Sequence, residues 1–415
     1  MEKTIEALLN SFETGLTPLG LQKLDEFLIN LLFEKEVLLV SAKKVSRIRE
    51  IENILTHYSD YRRIIYQRLN KKIDGRILKR NIYQPPTRLI LLLTHNCQLR
   101  CRYCRVRKFP ASMQNEVLFA GIDLLFTSER RDIQLQFFGG EPLLSLDSLK
   151  KAVKYAEKIN KKAKKNLLFV LTTNGILLEK DTLAFLKKHN FLIEFSIDGE
   201  IESQLKTRMA YDGKNYYAKV INNLKHLFSS NLSHYSISVV MPGNVCNMYD
   251  NFVHLSELGF KRIQMNYSLG IFWPKKSVHE LMSQTNKIMN YLKKRKDVEF
   301  INLTETRREP VVLNAELTLD CDGNIYLESG ICLEEDFQSI KNKFFIKELR
   351  CAKDINMLGS TPFYNFYRLS QTYATEKNNF RRIILNNILL GRLYESFIKK
   401  LNKSALGNKA SGSYN

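Results

Sequence analysis

Leu89-Ile90-Leu91-Leu92-Leu93-Thr94-His95-Asn96-Cys97-Gln98-Leu99-Arg100-Cys101-Arg102-Tyr103-Cys104 joins an apolar run to three cysteines at C-x3-C-x2-C spacing. The apolar run predicts a buried strand, and the thiols fall in the loop that follows it. Three thiolates on one short loop can ligate three irons of a [4Fe–4S] cube and leave the fourth iron open. An open iron can bind and act on a substrate, so the arrangement points to chemistry beyond electron storage. The competing reading is zinc, which usually takes four closed ligands, commonly from two C-x2-C pairs. The chain holds no second such pair.

The same strand signal recurs downstream. Short apolar stretches at Arg88 to Thr94, Ile133 to Phe138, Leu167 to Thr172, Leu192 to Ile197, Tyr235 to Met241 and Arg262 to Tyr267 alternate with amphipathic ones. The latter lie around Val117 to Phe126, Leu149 to Ala163, Thr182 to Lys188, Tyr217 to Phe228 and Met248 to Leu258. Strand–helix repetition without hairpin signals predicts an α/β fold, a parallel sheet with helices outside. Six units are too few for an eight-fold barrel, so the sheet is open or a partial (βα)6 barrel. Ligands of such folds gather at the carboxyl ends of the strands.

Three units are expected along the 415 residues. Residues 1–84 carry helical periodicity (Leu21, Leu24, Phe27, Leu28, Leu31) and read as a small, mainly helical accessory domain ending at Pro85-Pro86. Residues 85–275 hold the barrel. In residues 276–415, an α+β segment, the strand–helix alternation is lost and a β-hairpin turns at Asp322-Gly323. Toward the end, Leu385, Leu389, Leu393, Phe397 and Leu401 recur every four residues on a basic helix expected to pack on the barrel.

The formal net charge is +21, much of it in lysines such as Lys150, Lys151, Lys154, Lys158, Lys161 and Lys162. Val153 and Ala156 recur among them at helical spacing, so the lysines read as a solvated outer face. The first residues lack the order of a signal peptide, and no apolar run approaches the ~20 residues of a membrane helix. Seven cysteines without a secretory signal suit a reducing cytoplasm.

Further motifs close the later strands. Phe138-Gly139-Gly140-Glu141-Pro142 follows the second, Thr172-Thr173-Asn174-Gly175 the third and Ser196-Ile197-Asp198-Gly199 the fourth. Paired glycines let main chain approach another group closely, and a neighbouring carboxylate can hold a cation. Taken with the cysteine loop and Tyr103, the aromatic residue before the third cysteine, these segments resemble the radical S-adenosylmethionine (SAM) family. The resemblance covers roughly Thr87 to Tyr267, and the fold it implies is the partial radical SAM barrel. It implies that Cys97, Cys101 and Cys104 hold one [4Fe–4S] cluster. It also implies that Gly139, Gly140 and Glu141 bind the SAM amino group, with Glu141 countering the ammonium. Asn174, Ser196 and Asp198 would contact the ribose and carboxylate or brace their loops, and Arg208 would pair with the carboxylate.

The last two segments look like those of the peptide-modifying branch of the family. The activity implied is reductive cleavage of SAM to a 5′-deoxyadenosyl radical. A flavodoxin- or ferredoxin-type donor supplies the electron, and the radical modifies a peptide or protein substrate, whose acidic leader the N-terminal extension and basic surface could grip. The hairpin resembles the start of that branch's SPASM or twitch domain, yet only Cys321, Cys332 and Cys351 accompany it. Two auxiliary clusters are excluded by ligand count. One cluster with a non-cysteine ligand competes with buried, unligated thiols, which are expected here. His95 is expected to be structural. Two other readings stay open: modification of a small molecule or RNA, motivated by the charge, and a non-catalytic Fe–S or SAM-binding protein. Nucleic acid is not the expected partner.

Overall fold

The computed structural model describes residues 86–304, 316–327, 341–349 and, further on, 383, 386–387, 390–391 and 393–402. The expected N-terminal helices, Cys332 and Cys351 lie outside these residues.

All six predicted strands form and pair in parallel: β1 (Arg88–Leu92), β3 (Asp132–Phe138), β4 (Asn166–Thr173), β5 (Leu192–Ser196), β7 (Ser233–Val240) and β8 (Arg262–Tyr267). A short two-stranded ribbon, β2 (Leu99–Cys101) against β6 (Arg208–Ala210), stands apart from this sheet. The crossovers are α1 (Asn115–Phe126), α2 (Leu146–Ala163), α3 (Lys180–Lys188), α5 (Tyr217–Ser229) and α6 (Met248–Leu258), with a short α4 (Ile201–Thr207) before β6.

Past Lys275 the alternation continues, contrary to expectation. The segment forms α7 (Lys275–Leu292), β9 (Glu299–Phe300) parallel to β8, and α8 (Ile301–Thr304). The expected hairpin is present as β10 (Leu317–Leu319) and β11 (Asn324–Leu327), with β12 (Phe345–Glu348) beyond it. Its placement is new information. β10 lies parallel to β1, so the hairpin extends the barrel sheet from its first strand, giving the order β12-β11-β10-β1-β3-β4-β5-β7-β8-β9.

Period-two alternation explains both faces of the sheet. In β3, Ile133, Leu135 and Phe137 are buried toward the helices, while Gln134, Gln136 and Phe138 line a cavity on the other face. In β5, Ile193 and Phe195 are buried among core residues, and Leu192, Glu194 and Ser196 line the same cavity, as do Tyr235, Ile237 and Val239 of β7. One cavity of about 440 Å³ touched by all of these strands and by Gln264 and Asn266 of β8 requires a curved sheet. The core between sheet and helices is aromatic at its centre, with Phe169 and Phe191 stacked 5.2 Å apart and Phe137 5.8 Å from Phe191.

Lys151, Lys154, Lys158, Lys161 and Lys162 of α2 face solvent while Leu149, Ala152, Val153 and Ala156 are buried, as predicted; Lys150 is half-buried, its Nζ 5.8 Å from the centre of the Phe185 ring. The tail helix also packs on the barrel, but its buried face is turned by one residue from the expected one. Leu390, Tyr394 and Ile398 are buried, whereas Leu393 is 40% exposed and Phe397 and Leu401 are half-buried; Leu385 and Leu389 lie outside the described residues. Polar anchoring decides the rotation. Asn387 bonds Gly270 N (2.9 Å) and Ile271 O (2.8 Å), and the Tyr394 hydroxyl meets Thr285 Oγ1 at 3.0 Å.

Phe191 is 1% exposed at the centre of the aromatic cluster. Phe191→Ala is expected to cost about 3–5 kcal/mol through lost transfer energy and a cavity. Urea unfolding followed by circular dichroism checks it.

Candidate active site

The cysteine loop is folded back on the barrel rim by main-chain bonds. His95 N donates to Ala111 O (3.1 Å), and Cys104 N to Cys101 O (3.0 Å). The β2–β6 ribbon sets Cys101 opposite Arg208. All three thiols line the cavity, and each feels the charge of its neighbours. Burial pushes the Cys97 thiol up to about 11 and that of Cys101 to about 12. Donors already point at the sulfurs. Leu99 N lies 3.4 Å from Cys97 Sγ, and Lys108 Nζ 3.0 Å from Cys104 Sγ. Three thiols on one wall, with N–H donors facing the sulfurs, are a donor set that fits a thiolate-held iron–sulfur cluster. Elsewhere among the described residues, Cys246 is exposed and Cys321 sits half-buried in the turn of the hairpin.

The Gly-Gly-Glu segment runs alongside the root of that loop. Gly140 N donates to Thr94 O (2.7 Å) and Glu141 N to Asn96 O (2.8 Å). A Cβ on Gly139, at φ +140°, would stand 2.4 Å from Thr94 O, and one on Gly140 2.0 Å from Asn96 O. The missing side chains therefore admit the chain's own main chain, while both glycines also line the cavity. Glu141 is 1% exposed and accepts from Leu143 N (3.1 Å), Thr173 Oγ1 (2.8 Å) and Asn174 N (2.8 Å). Burial pushes its carboxyl up to about 7 against the opposing pull of those bonds and of Arg208.

Asp198 does not line the cavity. It lies 1% exposed behind the wall as the acceptor of a cluster of donors. Tyr103 Oη reaches it at 2.9 Å, Thr207 Oγ1 at 2.6 Å, Val239 N at 3.1 Å and Arg208 Nη2 at 3.2 Å. Arg208 Nε lies 3.1 Å from Asp198 Oδ2 without making a hydrogen bond. The guanidinium carbon sits 5.4 Å above the Tyr103 ring, and both residues line the cavity. Asp198 thus fixes Tyr103 and Arg208. Ser196 ends β5 on the cavity wall, and Asn174, beside Cys97, holds Gln98 Oε1 at 3.3 Å while its own Oδ1 caps Ile176 N.

Several lining residues were not singled out from the sequence. Lys108 is one. The inward row Gln136, Glu194 and Tyr235 is another, with Glu194 taking bonds from Gln136 Nε2 (2.9 Å), Thr172 Oγ1 (2.5 Å) and Tyr235 Oη (2.5 Å). Polar residues at every second strand position were the available signal.

His95 and Asp320 form a buried pair that ties the cysteine loop to the hairpin. Nε2 lies 2.7 Å from Asp320 Oδ1, Nδ1 2.8 Å from Arg107 O, and Lys341 bonds the other carboxylate oxygen. Burial would raise the Asp320 carboxyl, but His95 and Lys341 outweigh it and hold the group low. Cys321 donates to Leu92 O at 3.0 Å. Together with Asp320 and His95 its sulfur makes a group of three possible ligand atoms within 4.8 Å of one another. Both imidazole nitrogens and both carboxylate oxygens of that group already have protein partners, so it reads as a brace.

Residues 91–255 match the Radical SAM superfamily. The chain is 29% identical over 161 residues to a cysteine-type anaerobic sulfatase-maturating enzyme of Clostridium novyi, covering 37% of this chain and 43% of that enzyme. The match thus spans less than half the length of that relative. Among solved structures, native anSMEcpe with bound AdoMet and Kp18Cys peptide superposes with a TM-score of 0.63 at 17% identity, covering 79% of this chain and 99% of that one. Streptococcus suis SuiB bound to the precursor peptide SuiA gives a TM-score of 0.50 at 16% identity, covering 77% and 74%. At these identities the two structures show a shared fold.

Asp198→Ala leaves the buried Arg208 without its carboxylate. Removing one member of a buried ion pair typically costs about 3–5 kcal/mol. A large fall in melting temperature by scanning calorimetry is expected, whereas an unchanged one would mean that Asp198 is dispensable to the wall.

Proposed function

We propose that this chain, whose residues 91–255 match the Radical SAM superfamily, cleaves S-adenosylmethionine reductively and uses the product radical to modify a peptide or protein. The observation that carries this reading is convergence. The cysteine loop with Cys97, Cys101 and Cys104, the segment with Glu141 and the strand with Arg208 are three separate segments that line one cavity at the carboxyl ends of the strands.

Cys97, Cys101 and Cys104 would hold a [4Fe–4S] cluster, whose bound state supplies the electron that breaks the sulfonium bond. The chain's own residues do the positioning. Glu141, pre-set by three donors, faces the substrate ammonium as its counter-charge. Arg208, kept in plane by Asp198 and Tyr103, offers the edge of its guanidinium to the carboxylate. Ser196 and Asn174, both on the cavity wall, would bond the ribose. Below them, the inward row of Gln136, Glu194 and Tyr235 gives a chamber with hydrogen-bonding walls and apolar patches at Leu192, Ile237 and Val239. That mixture suits an amino-acid side chain presented on a peptide. The likeness to a maturating enzyme and to a fold seen with bound peptides supports the same class. The Cys321 thiol, engaged with Leu92 O, supports a single cluster.

Anaerobic reconstitution followed by dithionite and SAM should release 5′-deoxyadenosine. Cys97→Ser, Cys101→Ser and Cys104→Ser should each lose the cluster absorbance and the product together. Peptides encoded beside the gene should change mass on incubation, and a complete lack of change would remove the peptide from the proposal.

A carboxyl raised to about 7 is half-protonated near neutrality, and only its anion counters an ammonium. SAM affinity should therefore fall as pH drops through about 7 and level off above about 8. Glu141→Gln should flatten that profile and weaken binding about 10- to 100-fold, the worth of a charge-assisted hydrogen bond. Equilibrium dialysis with labelled SAM reads both effects.

A further inference from the structure

Arg88, Arg105, Lys108 and Arg208 are the cations that line the cavity. The three arginines are bonded to the protein's own oxygens: Arg88 to Glu316 and Gln136, Arg105 to Arg102 O at 3.2 Å and Arg208 to Asp198. Lys108 differs. Its Nζ lies 3.0 Å from Cys104 Sγ, and among the described residues no carboxylate bonds it. Its charge is felt at Cys97 and Cys101 as well. The main chain on both sides of Lys108 is clamped, so the root of its side chain is fixed beside the thiol. Arg107 O accepts from His95 Nδ1 at 2.8 Å, and the Phe109 ring stacks on the same imidazole at 4.3 Å. Val106 is buried in a cluster with Leu92 and Tyr326. His95 is in turn held by Asp320 of the hairpin turn, so a chain of contacts runs from the hairpin to the ammonium.

We infer that Lys108 sets the reduction potential of the iron–sulfur cluster: its ammonium, held at Cys104, favours the reduced form. The inference rests on the cluster reading above and assigns a residue to the tuning of that same site. Potentials of such clusters follow net charge, hydrogen bonds to the sulfurs and exposure to solvent. Reduction adds one negative charge. A cation hydrogen-bonded to a ligand sulfur therefore stabilises the reduced state more than the oxidised one. Lys108 is half-buried, and the low dielectric of the wall strengthens the effect. In the step, one electron passes from a low-potential one-electron reductant, which is oxidised, to the cluster, which is reduced. No bond forms or breaks, and Lys108 keeps its proton. The lysine acts through Cys104 and not on the substrate.

Redox titration of the reconstituted full chain without SAM, followed by the electron paramagnetic resonance signal of the reduced cluster, reads the potential directly. Lys108→Met keeps an unbranched stem and removes the charge. At a fixed applied potential its ratio of reduced to oxidised cluster should fall about ten- to hundredfold, the worth of a charge-assisted hydrogen bond, which is about 59–118 mV in midpoint. Lys108→Arg, which keeps the charge, should stay within about threefold of the unmodified protein. Lys151→Met, on the solvent face of α2, should not move the midpoint. If Lys108→Met fails to take up the cluster, Lys108→Gln carries the test with the same direction. A midpoint that is unmoved or raised overturns the inference, and a loss of SAM affinity in equilibrium dialysis alongside it would hand the lysine to the ligand. A shift in Lys108→Arg as large as in Lys108→Met also overturns it, because charge would then not be the cause. So does failure of both neutral variants to take up the cluster, since Lys108 would then serve assembly. An unmodified protein that binds no cluster removes the inference together with the reading beneath it. Failure of dithionite and SAM to release 5′-deoxyadenosine strikes the proposed reaction alone, and the midpoints stay readable.

Discussion

Two backbone bonds beyond the end of the sheet hold the site together. β1 and β3 pair in parallel up to Leu92 and Phe138, and the contact then continues through Gly140 N to Thr94 O and Glu141 N to Asn96 O. Only glycine lets the two chains lie so close, because a Cβ at either position would fall inside a carbonyl oxygen's contact distance. The consequence is functional. The loop that carries the thiols and the carboxylate that faces the cavity become one rigid unit, and the spacing between them cannot drift.

Charge is handled by the same economy of fixed partners. Glu141, Asp198, Glu194 and Asp320 are all buried, and each is surrounded by donors from a different part of the chain. Buried carboxylates in a low-dielectric wall are costly unless satisfied, so each one also dictates which segments must meet. Asp198 brings together the loop after β5, Thr207 and Arg208 at the α4–β6 junction, Tyr103 of the cysteine loop and Val239 of β7. At Glu141 burial outweighs the three neutral donors and the pull of Arg208, leaving the carboxyl poised to gain from a cation.

The elements of the barrel were legible in the sequence because each strand sets an apolar row against the helix layer and each helix shows a single apolar face. The motifs were legible because they are local. The structure then supplied what is not local. Nothing in Glu316 to Tyr326 says that this hairpin pairs with β1, since parallel pairing over more than two hundred residues leaves no short-range trace. The tail helix shows the same limit. Its four-residue leucine repeat predicts one face, but Asn387 and Tyr394 find main-chain and hydroxyl partners on the barrel and rotate it. Asp198, read as a ligand contact or brace, becomes a brace only once Arg208 and Tyr103 are seen to converge on it.

The hairpin's attachment bears on what this C-terminal region is for. Cys321 hydrogen-bonds Leu92 O at the very end of β1, and Asp320 beside it holds His95 two residues before Cys97. Both contacts press on the root of the cysteine loop from the side opposite the Gly-Gly-Glu segment. Gly121 of α1 leaves room for Leu319 on the outer face, so the hairpin is packed there as well as paired. A segment so placed stabilises the loop mechanically, through strand pairing and a buried His–Asp bond. Its geometric role is the completion of the wall on which Cys97 stands.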